Sequence, residues 1–120
     1  MRTILVVDDE WAIAEVLESL LSDEGYRVII ANNGKQALER LAEWPPDLIM
    51  LDFMMPVMDG KATLEAVRED AKTADIPVVI MSSLPEETIR ERCSGYQMFL
   101  RKPFRVAAVL DTIETALGPS

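Results

Sequence analysis

Short apolar runs that do not alternate with polar residues are the strongest constraint on the fold of this chain. The runs "ILVV", "LIML" and "VVIM" are apolar at every position. A strand of this kind is covered on both faces, which is typical of a parallel sheet with helices above and below it. Five strands are predicted, at residues 3–7, 27–31, 47–51, 77–81 and 98–100.

Helical patterns separate these strands. Apolar residues recur at a spacing of three and four, which indicates amphipathic helices; the stripes contain Ile13, Val16, Leu17, Leu20 and Leu21, then Ala37, Leu38 and Leu41, then Leu64 and Val67, and finally Val106, Val109, Leu110, Ile113 and Leu117. Asp59 is the predicted N-cap of the third helix, and Ser83 with Glu86 has capping-box spacing for a fourth. The βα unit repeats five times, which predicts an α/β fold with helices on both faces of the sheet.

The bulk composition narrows the class of protein. The 120 residues are 49% hydrophobic and contain no internal repeat, so we expect a single domain over residues 1–120. The apolar runs are too short to cross a bilayer, and no signal peptide is recognisable, so membrane insertion is not expected. Cys93 is the single cysteine, which excludes an internal disulfide and favours the cytoplasm.

Charge and the absence of histidine exclude further functions. The net charge of −9 would repel a phosphate backbone, so direct nucleic-acid binding is not expected. The chain contains no His. It therefore cannot use histidine as an acid–base catalyst, as a metal ligand or as a phosphohistidine donor.

Polar residues cluster where the predicted strands end. Asp8, Asp9 and Glu10 follow the first strand, Asp52 the third, Ser82 the fourth and Lys102 the fifth. In open parallel sheets, ligands bind beyond the carboxyl ends of the strands where the strand order reverses. If strands one and three are neighbours there, the three aspartates share one pocket. Such carboxylates repel one another unless a cation intervenes, and all-oxygen ligation favours Mg²⁺.

This set of groups suits phosphoryl transfer. With Mg²⁺ bound, Asp52 can act as an in-line nucleophile toward phosphorus and form an acyl phosphate. The metal and Lys102 would then neutralise the phosphoryl oxygens, and Ser82 would donate a hydrogen bond to the transferred group.

Four segments in order carry a family resemblance: "ILVVDDE", "PPDLIMLDFMMPVMDG", "IPVVIMSS" and "FLRKPF". Over essentially its whole length the chain resembles the receiver domain of two-component response regulators. The resemblance implies a (βα)5 doubly wound, flavodoxin-like or receiver-like parallel sheet with strand order 2-1-3-4-5. It further implies a phosphoacceptor in a phosphorelay, which receives its phosphoryl group from a sensor histidine kinase or a histidine phosphotransfer protein. The domain would then switch conformation and signal to a downstream protein or output domain. It would not be an enzyme beyond its own phosphotransfer and slow dephosphorylation.

The resemblance also implies a role for individual residues. Asp52 is the expected phosphoacceptor and a metal ligand; Asp9 would bind Mg²⁺ directly, Asp8 through water, and Met54 through its backbone carbonyl. Lys102 would pair with the phosphoryl group. Two further residues complete the expected set: Ser82 as the switch hydroxyl and Phe99 as the switch aromatic residue. The peptide bond between Lys102 and Pro103 is expected to be cis.

One segment departs from the family pattern. Residues 82–95 form a shorter stretch than is usual, and Tyr96, Gln97 and Met98 stand where the family has a small residue followed by two acids. We therefore expect a fourth helix that is short or irregular and a partner interface unlike the common one. The acid pocket should be unaffected.

Three other functions compete with this interpretation. A flavodoxin-like binder of a nucleotide or FMN needs a phosphate-cradling loop after the first strand, where this chain has Asp8, Asp9 and Glu10. A pseudo-receiver would have lost an acid or the lysine, and none is missing. A phosphatase with an Asp nucleophile would carry it after the first strand in an Asp-x-Asp pattern.

Overall fold

Strands and helices alternate along the whole described chain. The computed structural model describes residues 1–119. Five strands and five helices follow one another in the order β1 (Thr3–Val7), α1 (Trp11–Asp23), β2 (Arg27–Ala31), α2 (Gly34–Glu43), β3 (Leu48–Asp52), α3 (Gly60–Glu69), β4 (Val78–Ser82), α4 (Glu86–Arg92), β5 (Met98–Arg101) and α5 (Val106–Leu117).

The strands form one parallel sheet in the order β2-β1-β3-β4-β5. Each neighbouring pair is parallel, which confirms the predicted doubly wound α/β class. The order reverses between β1 and β3, where Val7 lies opposite Leu51. The carboxyl ends of these two strands therefore meet.

The last three strands end one residue later than the sequence predicted. β3 includes Asp52, which pairs with Met81, and β4 includes Ser82, which pairs with Arg101. The prediction stopped each strand at its last apolar residue, but the parallel ladder continues through the polar one. The two polar side chains are therefore held by strand backbone instead of by a loop.

Two apolar cores lie on opposite faces of the sheet. Alternate strand residues such as Leu5 and Ile80 pack with α2, α3 and α4. The residues between them, such as Val6 and Met81, pack with α1 and α5. Burial on both faces explains why β3 and β4 are buried at every position. No helix within residues 1–119 is both long and apolar enough to cross a bilayer.

The helix starts follow the sequence at α3 but not at α4. Asp59 caps α3 as predicted, because its Oδ1 accepts a hydrogen bond from the Ala62 backbone N–H at 2.9 Å. The predicted capping box of α4 is wrong: the N-cap is Pro85, and no side chain caps that end. Glu86 is then the first helical residue, too early to reach back as a capping-box glutamate would. The helix has only 7 residues, so it is short as expected.

The loop from β3 to α3 packs tightly against the end of β3. A Cβ atom at Gly60 would lie 2.5 Å from the Asp52 carbonyl oxygen and 2.7 Å from Phe53 Cα. Only glycine permits this approach, and the Gly60 N–H donates to the Phe53 carbonyl at 2.9 Å. Val57, in the same loop, has a φ of 71°, which is a strained value for a β-branched residue.

A network that we name the Arg68 clamp joins α3 to the amino-terminal ends of β4 and β5. Arg68 Nε donates to the Gly95 carbonyl at 2.8 Å, and Nη2 donates to Gln97 Oε1 at 2.9 Å. Nη1 reaches the carbonyls of Ala74 at 3.1 Å and Ile76 at 2.7 Å. The clamp consists of these five residues and the Val78 N–H, which donates to Gln97 Oε1 at 2.7 Å.

A second arginine joins the two ends of the described chain. Arg2, just before β1, donates from Nη1 to the Leu117 carbonyl at 3.1 Å and from Nη2 to the Pro119 carbonyl at 2.9 Å. Gly118, with a φ of 72°, ends α5 between them. The start of β1 and the end of α5 are therefore held together at the amino-terminal edge of the sheet.

Candidate functional site: an acid pocket at the strand ends

Four side chains meet at the carboxyl ends of the central strands, and we name them the acid pocket: Asp8, Glu10, Asp52 and Lys102. Asp8 directly follows β1 and Asp52 is the last residue of β3. Glu10 is the N-cap residue of α1, and Lys102 follows β5. Strand pairing therefore places three of the predicted site residues together, as the sequence indicated.

The Lys102 ammonium contacts all three carboxylates. Its Nζ lies 2.9 Å from Asp8 Oδ2, 3.3 Å from Glu10 Oε1 and 3.3 Å from Asp52 Oδ1. Its backbone N–H donates to the Ser82 carbonyl at 2.9 Å, which fixes the start of the side chain beside β4. Burial lowers the pKa of Lys102, but hydrogen bonding to Asp8 and the charges of both aspartates outweigh it, so the pKa is raised overall.

Asp8 is the most rigidly held of the acids. Its side chain is fully buried. Oδ1 accepts the Glu10 backbone N–H at 2.9 Å, while Oδ2 accepts from Lys102. With both oxygens engaged, the carboxylate is fixed between β1 and the start of α1.

Asp52 carries a charge that its surroundings disfavour. The residue is only 4% exposed. Its pKa is raised to about 7, mainly by burial and next by the charge of Asp8, while Lys102 opposes both effects. A hydrogen bond with Asp9 adds to the increase. Without a further cation the carboxylate therefore takes up a proton near neutral pH.

The donor set fits a hard divalent cation. Oxygens of Asp8, Glu10 and Asp52 lie within 4.8 Å of one another. Carboxylate oxygens are the ligands that Mg²⁺ prefers. When all three carboxylates are ionised, the one ammonium leaves two negative charges unbalanced. A divalent ion is the counter-charge that such a pocket lacks.

Glu10 joins the predicted acid group in the structure. Asp9 is exposed but lies close enough to Asp52 to raise the pKa of that carboxyl, while the three acids whose oxygens converge are Asp8, Glu10 and Asp52. The sequence placed Glu10 among the candidate residues after the first strand but gave it no role in the site, because an acid at a helix start is usually explained by the helix dipole. The available signal for a role in the site was its position directly after Asp8 and Asp9, three residues past the end of β1.

The remaining predicted residues lie around the pocket. Ser82 is buried at the end of β4, and its hydroxyl accepts the Leu84 N–H at 3.1 Å. Phe99 is half-buried against the core that contains α2, α3 and α4. Met54 is 62% exposed. The peptide bond from Lys102 to Pro103 is cis, as predicted.

The fold and this pocket define a parallel α/β domain with an acid cluster at the carboxyl ends of its strands, and comparison with known proteins gives the family. The model of the response regulator receiver domain matches residues 4–114. The chain therefore belongs to the response regulator receiver domain family. Its signalling class follows from that membership: receiver domains take part in two-component signal transduction.

Named relatives agree with this placement. The chain is 36% identical over 119 residues to the DNA-binding dual master transcriptional regulator RpaA of Synechocystis sp., covering 98% of this chain and 49% of the relative. It is 38% identical over 119 residues to the response regulator MprA of Mycobacterium leprae, covering 95% and 50% respectively. The chain thus spans about half the length of these curated relatives.

Solved structures share the fold closely. The chemotaxis protein CheY4 of Vibrio cholerae is 31% identical with a TM-score of 0.90, and the match covers 98% of this chain and 99% of that one. The receiver domain of a sensor histidine kinase from Pseudomonas aeruginosa is 28% identical with a TM-score of 0.91, covering 98% of each chain. That structure holds a magnesium ion in its active-site cleft.

Proposed function

We propose that Asp52 is the phosphoacceptor of this receiver domain, with a histidine kinase or a histidine phosphotransfer protein as donor. One observation carries the proposal: Asp52 is buried at the end of β3, with acid oxygens of Asp8 and Glu10 converging on it and with Lys102 Nζ 3.3 Å away. A nucleophile, a cation site and a lysine are thus present within one pocket.

The transfer step uses the chain's own carboxylate. An Asp52 oxygen attacks phosphorus in line with the phosphorus–nitrogen bond of a donor phosphohistidine. The new phosphorus–oxygen bond forms as the phosphorus–nitrogen bond breaks, and the imidazole nitrogen leaves with the electron pair and takes up a proton. Water later hydrolyses the acyl phosphate. These two reactions are the only catalysis that we propose, so the domain is a phosphoacceptor and not an enzyme acting on other substrates.

We propose Mg²⁺ as the cofactor, held by Asp8, Asp9, Asp52 and the Met54 backbone carbonyl. When bound, the ion neutralises charge on the phosphoryl oxygens. The unbalanced carboxylates and the raised pKa of Asp52 support a cation in this pocket. Lys102 lies within reach of the same oxygens and neutralises the remaining charge.

Phosphorylation would be read out through Ser82 and Phe99. Ser82 lies on β4, the strand beside β3, and Phe99 lies on β5 opposite Ile80. We propose that the Ser82 hydroxyl exchanges its present contact with Leu84 for a phosphoryl oxygen. The added charge would then bias an existing equilibrium between inactive and active conformations, in which Phe99 turns inward.

The proposed partners are the phosphodonor and a downstream protein or output domain, in a cytoplasmic setting. Curated relatives are about twice as long and some are transcriptional regulators, so an output domain in the same protein is one form of this proposal. We propose no direct contact of this chain with nucleic acid, because its net charge of −9 would repel a phosphate backbone. We retain residues 1–120 as a single receiver domain, although Ser120 lies outside the described residues.

Intact mass after incubation with acetyl phosphate tests this function. We expect a gain of one phosphoryl group that requires Mg²⁺ and is removed by hydroxylamine, because an acyl phosphate is labile to that nucleophile. Asp52→Asn should abolish the gain. Asp111→Asn, which makes the same charge change at an exposed residue of α5, should retain it. No gain in the unmutated protein, with Mg²⁺ still bound, would contradict the proposal and favour a pseudo-receiver.

A further inference from the structure

All three N–H donors of the Lys102 ammonium are engaged by carboxylates. An ammonium group carries three donors, and Nζ contacts one oxygen each from Asp8, Glu10 and Asp52. A phosphoryl group on Asp52 would add up to two negative charges and three strong acceptors beside the same nitrogen. The contacts of Lys102 must then be redistributed.

The three carboxylates differ in what it costs to release them. The Asp8 side chain is fully buried and has the shortest contact, 2.9 Å, so its separation from Lys102 would leave a buried charge unpaired. The Asp52 contact passes to the phosphoryl group that Asp52 itself carries. The Glu10 side chain is 60% exposed and can be solvated by water. Glu10 is therefore the cheapest partner to lose.

Like-charge repulsion points to the same residue. A Glu10 oxygen lies within 4.8 Å of the Asp52 and Asp8 oxygens, so a phosphoryl group on Asp52 would come close to the Glu10 carboxylate. The α1 N-terminus does not depend on this side chain, because Glu10 makes no side-chain cap hydrogen bond there. Glu10 can leave the pocket without uncapping the helix.

We propose that Glu10 is a positioning residue that holds Lys102 in the unphosphorylated protein and releases it when Asp52 is phosphorylated. Glu10 thereby stabilises the resting state and opposes the phosphorylated one. This inference rests on the proposed phosphoacceptor function of Asp52. This role differs from metal ligation, because a Glu10 carboxylate that bound Mg²⁺ would stabilise the metal-bound pocket.

Equilibrium binding of the beryllium trifluoride anion, a phosphoryl analogue, in saturating Mg²⁺ tests the proposal. We expect Glu10→Ala and Glu10→Gln to bind the analogue about two- to fivefold more tightly than the unmutated protein, as for the loss of one partly exposed ion pair. Glu15→Gln makes the same charge change on α1 and should leave the affinity unchanged. Mg²⁺ affinity is measured in each variant before the analogue is added.

Each outcome decides one question. Tighter analogue binding in both Glu10 variants, with Mg²⁺ affinity within about twofold of the unmutated protein, supports the proposal. Equal or weaker analogue binding overturns it, and a tenfold loss of Mg²⁺ affinity would make Glu10 a metal ligand instead. If the unmutated protein binds no analogue in Mg²⁺, the phosphoacceptor function itself fails, and the role of Glu10 fails with it.

Discussion

The acid pocket and the Arg68 clamp lie at opposite edges of the same sheet and differ in how well their polar groups are paired. In the pocket, three carboxylates share one ammonium, and burial raises the pKa of Asp52 to about 7. In the clamp, one guanidinium satisfies three carbonyls and one amide oxygen. The pocket is short of positive charge, whereas each of the four acceptors in the clamp has the Arg68 guanidinium as a donor.

This difference suggests that the acid pocket changes conformation on ligand binding, whereas the Arg68 clamp keeps its structure. Binding of the proposed cation would stabilise the folded pocket, so its occupancy would alter the protein. The clamp gains nothing from a ligand, and it ties the segment before β5 to α3. We therefore expect switching to start at the carboxyl edge of the sheet, while the amino-terminal edge serves as a fixed frame.

Removal of the clamp should have the largest effect on stability. Arg68→Met keeps the aliphatic length but leaves the carbonyls of Ala74 and Ile76, whose bonds to Arg68 are partly buried, without that donor. We expect the free energy of unfolding to fall by about 2 kcal/mol, because these carbonyls lose a charged donor and regain only part of their hydration. Arg92→Met, at an exposed position of α4, is the control. Equal losses in the two variants, measured by urea denaturation, would show that the clamp is not structural.

Mg²⁺ should stabilise the pocket by a smaller amount. At a free concentration about ten times its dissociation constant, Mg²⁺ should raise the free energy of unfolding by about 1.4 kcal/mol, because it binds only the folded pocket. Thermal melts with and without the ion measure this effect. Asp52→Asn should weaken it, whereas Arg68→Met should leave the increment intact. Melts that do not depend on Mg²⁺ would argue against a shared acid pocket.

The free energy of unfolding should depend on pH through Asp52 even when no metal is bound. The pKa of Asp52 rises from 3.8 to about 7 on folding, so between these values the folded protein holds a proton that the unfolded chain has lost. Stability conferred by that protonated form therefore declines as pH rises through this window. Asn does not titrate. In Mg²⁺-free buffer we expect Asp52→Asn to gain on the order of 1 kcal/mol over the unmutated protein near pH 8 and little near pH 4.

Denaturant titrations at several pH values check this expectation. Asp111→Asn should show no such trend, because Asp111 is exposed on α5. A stability difference between Asp52→Asn and the unmutated protein that stays constant with pH would mean that Asp52 does not titrate in this window.

The predictable parts of the molecule are those fixed by periodicity and by local chemistry. Unbroken apolar runs indicated strands covered on both faces, and the polar residue after each run marked the edge where Asp8, Asp52 and Lys102 meet. Asp59 was a recognisable cap because its side chain bonds within its own turn. In each case the decisive interaction lies within a few residues or follows from strand order.

The unpredicted parts depend on contacts between distant segments. Glu10 joins the pocket through Lys102, 92 residues further along the chain. Ser83 does not cap α4, because Pro85 sets where that helix begins. In the sequence, Gln97 was noted only as a departure from the family pattern. Its hydrogen bond with Arg68 was not predicted, because Arg68 lies 29 residues away on α3. The φ of 71° at Val57 is likewise set by the packed loop around it.

The Arg2 contacts also bear on how this chain can be re-engineered. One guanidinium reaches the carbonyls of Leu117 and Pro119 from a position just before β1, so a short peptide could connect the two ends of the described chain. New ends could be opened at Gly25, a turn residue where even a Cβ would meet no atom within 4 Å. Such a circular permutant would keep β1 beside β3, and would present its ends on the far side of the domain from the acid pocket.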